Sequence, residues 1–307
     1  MDELTAAGIT ELELRKSYQE CKRLNSEHGK TYYLATLLLP KEKRPHVHAL
    51  YGFARFADEI VDDLGSTLSP QQKADALRQW GDGVLRDLNR GTSADHIGKA
   101  LVNTVNTFQI PISYFEAFLH SMAMDLTVTS YERYEDLLEY VYGSAAVIGL
   151  QMVHVLGLAD SANSSDKKKE ALVAAEKLGI AFQLANFIRD VGEDLDRGRV
   201  YLPLSELREY QVSRAMLEER KVTPEIRNAL TFQISRVRQL QREAEPGISL
   251  LTPSARPCIQ AASELYCGIV DEVEKIDCEV FSRRAKTSTF RRVTVAFPAW
   301  LRALALR

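Results

Sequence analysis

Apolar residues recur at three- and four-residue intervals along almost the whole chain, and the alternation of a half-buried strand is nearly absent. This pattern predicts helices over 11–27, 43–64, 70–90, 113–126, 134–158, 167–196, 224–243 and 255–281. Ser69-Pro70 with Gln72 reads as an N-cap, a first-turn proline and a capping-box partner. Thr223-Pro224-Glu225 repeats the first two of these signals. The connections are short, and the polar stretch 160–169 is expected to be exposed. No Gly/Ser/Pro-rich linker, low-complexity tract or solenoid period divides the chain. The expectation is an all-α helical bundle forming a single domain over residues 1–307.

Composition narrows the class. With 307 residues, 45% of them apolar and 26% charged, the chain is an ordinary globular protein that can bury a large core. A net charge of -3 without a dominant basic stripe gives no reason to expect nucleic acid. The acidic start MDELTAAGITELEL lacks the apolar region of a signal peptide. The longest apolar run, 145–158, is broken by Gln151 and His154 and is too short to span a bilayer. Cys21, Cys258, Cys267 and Cys278 show no metal spacing, so reduced cysteines in a cytoplasmic protein are the simplest expectation.

Two helical segments carry the candidate chemistry. In the first, Tyr51, Arg55, Asp58 and Asp62 fall on one stripe, opposite Leu50, Phe53, Ala57, Ile60 and Val61. A solvated acidic face would look the same. In the second, Gln183, Asn186, Asp190 and Asp194 form a narrow polar stripe. Ile180, Leu184, Phe187, Ile188 and Val191 border it on one side, Leu178 and Phe182 on the other. A solvated face would be wider and would lack this border. Carboxylates buried without partners are costly, so they neutralise, pair with cations or bind metal. An internal ion-pair network is one solution. The other is an acidic cavity between the two helices, whose hard oxygen donors suit Mg²⁺ or Mn²⁺. Arg55 and Arg189 stand beside these acids, and Arg197 and Arg199 follow closely. Cations interleaved with acids suit a metal-bridged diphosphate better than a bare metal store. An EF-hand at 190–198 is excluded, because alternate positions lack ligands and the segment continues as helix.

ARFADEIVDD (54–63) and NFIRDVGEDLDRGRVYLP (186–203) resemble the two aspartate-rich signatures of the squalene and phytoene synthases. HGKTYYLATLLLP (28–40) resembles that family's diphosphate segment, and YVYGSAAVIG (140–149) its YCxxVAGxVG segment. Tyr266 in SELYCGIVDEV falls where the family has a late tyrosine. The matches come in family order over about 28–285, and MDLTVTSYERYEDL (124–137) and RVYLP favour the phytoene branch. Val141 and Ala146 depart from the family's cysteine and glycine, which puts the pocket shape there in question.

The resemblance implies an isoprenoid-synthase bundle with a central cavity. It implies head-to-head condensation of two prenyl diphosphates through a cyclopropylcarbinyl diphosphate to phytoene, with no NADPH. The alternatives are dehydrosqualene or squalene formation from farnesyl diphosphate, or a scaffold protein without catalysis. By motif match, Asp58, Asp62, Asn186, Asp190 and Asp194 are the metal ligands, and the four aspartates are catalytic through that metal. His28, Lys30, Thr31, Tyr51, Arg55, Gln183, Arg189 and Tyr266 are the diphosphate or substrate contacts. Tyr140 is a candidate for cation stabilisation or proton handling, against the alternative of a core tyrosine with a bonded hydroxyl. His46, His48, Phe108, Phe115 and Phe118 are read as packing residues. Residues 145–149 are expected to line or back the deep apolar end of the cavity, with Ala146 setting substrate length. The basic and apolar segment from Phe290 to Arg302 is read as a helix packed on the core. Peripheral membrane contact for release of an insoluble product is its second reading.

Overall fold

The structure is a computed structural model that describes residues 1–62 and 68–306; the side chains of Thr31 and Asp62 lie outside the described part. The α-helices are α1 (Glu3–Ala6), α2 (Leu12–His28), α3 (Lys30–Thr36), α4 (Arg44–Asp62), α5 (Pro70–Arg90) and α6 (Gly98–Phe108). They continue with α7 (Ser113–Met124), α8 (Tyr134–Val141), α9 (Val147–Leu156), α10 (Ser165–Asp196) and α11 (Leu204–Glu209). The last are α12 (Arg214–Glu218), α13 (Pro224–Ile248), α14 (Arg256–Cys267), α15 (Ile269–Lys275) and α16 (Thr289–Ala305). Among the described residues there is no strand, only the isolated bridges Ser130–Val200 and Leu158–Leu251.

Local chemistry sets many of these boundaries. Ser69 accepts from the Gln72 amide while the Gln72 side chain accepts from the Ser69 amide, so α5 begins with a complete capping box and Pro70 in its first turn. Thr223 caps α13 ahead of Pro224. That helix runs beyond the expected end at 243, through Pro246 to Ile248. Gly247 is the reason: a Cβ there would lie 2.2 Å from the Cβ of Ala174 on α10, so only glycine lets the last turn of α13 close onto its neighbour. The expected helix 134–158 is interrupted by a π-helical turn at Tyr142–Ala146 between α8 and α9. The expected helix 255–281 divides at Gly268. Helix α6 gave no signal in the sequence. Val102, Thr104 and Val105 are β-branched and poor helix formers, and burial against α2 and α4 decides their conformation.

α10 runs through the middle of the bundle, against α9, α13, α14, α15 and the π-turn. It is long and apolar enough to cross a membrane by length and composition alone, but here it packs between other helices. Leu184, Phe187, Ile188 and Val191 share one core with Ile226, Leu230, Ile234 and Val237 of α13. A second core lies under α4, where Phe53 stacks on Trp80 at 5.5 Å, meets Phe115 edgewise at 5.2 Å and lies tilted against Phe118 at 5.2 Å. His46 and His48 are packing residues, as expected. Their ring nitrogens meet Tyr18 at 3.1 Å and Asn25 at 2.9 Å, and burial pushes both pKa values down to about 4, leaving neutral rings.

The crossing of α9 and the π-turn over α10 is close enough to exclude side chains. A Cβ on Gly149 would lie 2.5 Å from the Ala175 carbonyl oxygen, and one on Gly179 would lie 2.8 Å from that of Ala145. Ala146 is fully buried at this crossing, with its Cα 3.0 Å from the Cβ position of Gly179. It therefore packs helix on helix and does not face open space, which corrects its expected role as a determinant of substrate length. Ala146→Phe should lower stability by at least about 1–3 kcal/mol through overpacking, as read by urea denaturation. Retention of wild-type stability would restore the pocket-wall role.

Candidate active site

A cavity of about 340 Å³ opens between α3, α4, α9, α10, α13 and α14. One face of α10 supplies its long wall: Ala171, Ala174, Leu178, Phe182, Gln183 and Asn186 line it in succession. Fifteen residues at 1.5 Å rise make this wall roughly 22 Å long. It is apolar from Ala171 to Phe182 and polar only at Gln183 and Asn186. The next turns of the same face carry Arg189, Asp190 and Asp194. Ala145, Ile148 and Gly149 line the cavity as expected, and Ser144 joins them because the π-turn reorients this segment.

Aromatic rings define the polar end. Tyr32 of α3 lies 6.2 Å from Tyr51 of α4 and 5.4 Å from Tyr266 of α14, and Tyr266 stacks on Phe182 of α10 at 4.9 Å. Burial drives the Tyr266 hydroxyl far above its ordinary pKa, so it stays protonated; the Arg189 charge opposes this only in part. Tyr51 lies in the field of Arg55 and Asp58, one and two turns along α4.

The carboxylates divide by environment. Asp58 accepts from Arg55 at 2.8 Å and is half-exposed. Asp190 accepts from Arg189 at 2.7 and 2.5 Å and from Arg284 at 2.7 and 2.9 Å. Burial acts to raise the Asp190 pKa, but the two guanidinium groups outweigh it and hold the carboxyl below its ordinary range. Asp194 behaves oppositely. Burial first, then the charge of Asp190, pushes its pKa up to about 7, against the pull of Arg197 and Arg199. A carboxyl so placed is relieved by a proton or by added positive charge.

The structure thus gathers Tyr51, Arg55, Asp58, Gln183, Asn186, Arg189, Asp190, Asp194 and Tyr266 at one end of the cavity. His28 ends α2 and Lys30 opens α3; both side chains are exposed. Thr31 is in α3 and Asp62 ends α4, but their side chains, and Asp63 entirely, lie outside the described residues. Tyr140 is elsewhere. It is buried in the core against Tyr131, Phe187 and Tyr201, and it does not line the cavity. Its ring stacks on Tyr201, which donates to Asp125 at 2.8 Å, while Arg199 donates to the Asp125 carbonyl at 2.8 Å. The core placement agrees with the alternative reading of Tyr140 as a packed tyrosine. Three residues of this region escaped the sequence reading: Tyr32, Asp125 and Arg284. Arg284 sits in the basic run Arg283-Arg284-Ala285-Lys286, which no helical period ties to Asp190.

The donor set fits a small divalent cation. The carboxylates and the Asn186 amide are hard oxygen ligands, and Asp194 is under-compensated for charge. Among the described residues no three acid, histidine or cysteine side chains converge on one point. An ion held here would therefore take oxygens from a ligand as well, as Mg²⁺ does with phosphates.

Residues 25–291 match the sequence profile of the Squalene/phytoene synthase family. A chloroplastic phytoene synthase of an Oncidium hybrid cultivar is 37% identical over 293 residues, covering 95% of this chain and 69% of its own. The 15-cis-phytoene synthase of Synechocystis sp. is 34% identical over 298 residues, covering 95% of this chain and 87% of its own. Among solved structures, a dehydrosqualene synthase in complex with ligand superimposes with a TM-score of 0.83 at 26% identity, over 99% of this chain and 100% of that one. A squalene synthase from Alicyclobacillus acidocaldarius gives 0.78 at 24% identity, over 88% and 98%.

The Asp194 shift has a sign that can be measured. Between about pH 4, where an unfolded aspartate titrates, and about pH 7, the folded chain keeps a proton that the unfolded chain has lost. This contribution to stability is present in acid and lost as pH rises through about 7. Asp194→Asn should therefore melt near the wild type at about pH 4 and above it at pH 8 in metal-free buffer. Equal melting temperatures at pH 8 would show that Asp194 is not charge-stressed.

Proposed function

The chain belongs to the squalene/phytoene synthase family, and from that premise we infer that it condenses two geranylgeranyl diphosphates head to head into phytoene, releasing diphosphate. The observation that carries this reading is the single face of α10, which runs from an apolar wall roughly 16 Å long, Ala171 to Phe182, through Gln183 and Asn186 into Arg189, Asp190 and Asp194. A prenyl chain and its diphosphate have the same polarity profile. Sequence identity of 34–37% to phytoene synthases over most of the chain supports the same product.

The residues divide the work. A Mg²⁺ or Mn²⁺ held by Asp58, Asp62, Asn186, Asp190 and Asp194 would supply Lewis-acid stabilisation to the departing diphosphate. Arg55, Arg189 and Arg284 add fixed positive charge at the same end, strongest where water is excluded. Tyr266 keeps its proton and presents a neutral donor there. The rings of Tyr32, Tyr51, Phe182 and Tyr266 offer faces to an allylic cation. Beyond them, Leu39, Leu156, Ala174 and Leu251 keep the chain dry, so a cation is not trapped by water before the second prenyl unit attacks it.

The direct test is product analysis with the C15 and C20 diphosphates and Mg²⁺, with and without NADPH. Phytoene from the C20 substrate alone is expected; squalene formed only with NADPH would move the chain to the squalene branch, and dehydrosqualene from the C15 substrate to the dehydrosqualene synthases. Excess EDTA should stop turnover, and full activity in EDTA would remove the metal from the mechanism. Asp190→Asn should cut turnover roughly 10²-fold, the scale of one lost transition-state electrostatic contact, while the protein still melts cooperatively. Near-normal turnover would displace Asp190 from the site.

A further inference from the structure

Helix α16 has two apolar faces, and the fold uses only one. Val295, Ala299 and Ala303 are buried, and the helix packs on α14. Phe290, Val293, Phe297, Trp300, Leu301 and Leu304 fall on the opposite side, within an arc of about 100° at 100° per residue. They are between 43% (Trp300) and 78% (Phe290) exposed. Phe297 and Trp300 stack on one another at 6.1 Å on this outer surface. Single exposed apolar residues are common on soluble proteins; six in one stripe on one helix mark an interaction surface.

The charge around the stripe identifies its partner. From Val280 to Arg307 the chain has seven Lys and Arg residues and no Asp or Glu. Arg284 and Arg291 are committed to carboxylates of α10 and α15. Arg283 and Lys286, in the segment leading into α16, are exposed and have no carboxylate partner among the described residues. A second copy of the chain related by a two-fold axis would bring this acid-free segment against itself, cation to cation. A lipid surface carrying negative headgroups meets the apolar stripe and its basic surroundings together.

We propose that the outer face of α16 docks on an anionic bilayer, with the helix lying in the plane of the headgroups. The inner face ties this surface to the cavity. Val295 and Ala299 share one hydrophobic cluster with Leu39, Leu156, Leu251 and Cys258, which line the cavity's deep apolar end. Docking therefore places that end about one helix layer from the acyl region, a sensible position if, as inferred above, the product is a water-insoluble isoprenoid.

Vesicle sedimentation of the full chain tests the docking without any substrate. With phosphatidylcholine vesicles containing phosphatidylglycerol, the protein should sediment at low salt and be released as salt is raised. With phosphatidylcholine alone it should stay largely in the supernatant. Phe297→Ser with Trp300→Ser should weaken anionic-vesicle partitioning by about tenfold or more, since both rings supply buried area only in the bound state. Its melting temperature and its turnover in detergent should match the wild type, because both side chains are exposed. A wild type that ignores anionic vesicles, or a double variant that binds as well as the wild type, would overturn the proposal. So would a dimer seen by light scattering that the same substitutions dissociate, because a second copy would then cover the stripe. Vesicle binding without phytoene formation would instead overturn the functional reading alone.

Discussion

Asp190 is held by two guanidinium groups, Arg189 beside it on α10 and Arg284 from the segment between α15 and α16. Burying a carboxylate carries a desolvation cost that only close, hydrogen-bonded cations offset. Four donor contacts do this, and they join residues ninety-four positions apart. The consequence is architectural as well as electrostatic. The chain leaving α15 must pass the mouth of the cavity before it can form α16, so the charge that stabilises the polar end also sets where the C-terminal helix starts.

The same helix face imposes a second constraint. α10 must present acids at one end and a dry wall along the rest, while its other sides are covered. Small residues make that compatible with tight packing. Gly149 and Gly179 let α9 and the π-turn approach α10, and Gly247 lets α13 close from another side. Alanines at 171, 174 and 175 then leave space on the remaining face. Volume lost as side chains at the helix crossings brings the helices together; volume lost along the free face becomes cavity. The π-turn contributes by turning Ser144 and Ala145 toward that cavity, while Tyr140, a few residues earlier, remains in the core with Tyr201.

Electrostatics separate the two acids of α10. Asp190 is ionised because arginines are in contact with it, whereas Asp194 has burial and a negative neighbour to oppose and only more distant cations in its favour. Behind it, Arg199 is engaged by Asp125 and Tyr201, so part of its charge is already balanced. One helix thus offers a paired carboxylate and a stressed one, a turn apart. That asymmetry suits a site whose positive charge arrives with its ligand.

Much of this was determined by the sequence alone. Helical periodicity is a local property, and it located α2, α4, α5, α10 and α13 because each repeats apolar residues at helical spacing, with recognisable caps at the starts of α5 and α13. The two aspartate stripes were legible for the same reason, since residues four apart on a helix share a face whatever surrounds it. Other features depended on contacts between distant segments. Arg284 reaches Asp190 only through the fold, and no spacing encodes that. α6 is helical against its own propensities because neighbouring helices bury it. Ala146 and Ala145 are adjacent and chemically identical, yet one packs on Gly179 and the other lines the cavity, a difference set by the π-turn. α16 read as a packed helix and also as a membrane element; the tertiary structure buried Val295, Ala299 and Ala303 and left its aromatic face outside. The chain's own periodicity decides which residues share a face, and only packing decides what that face meets.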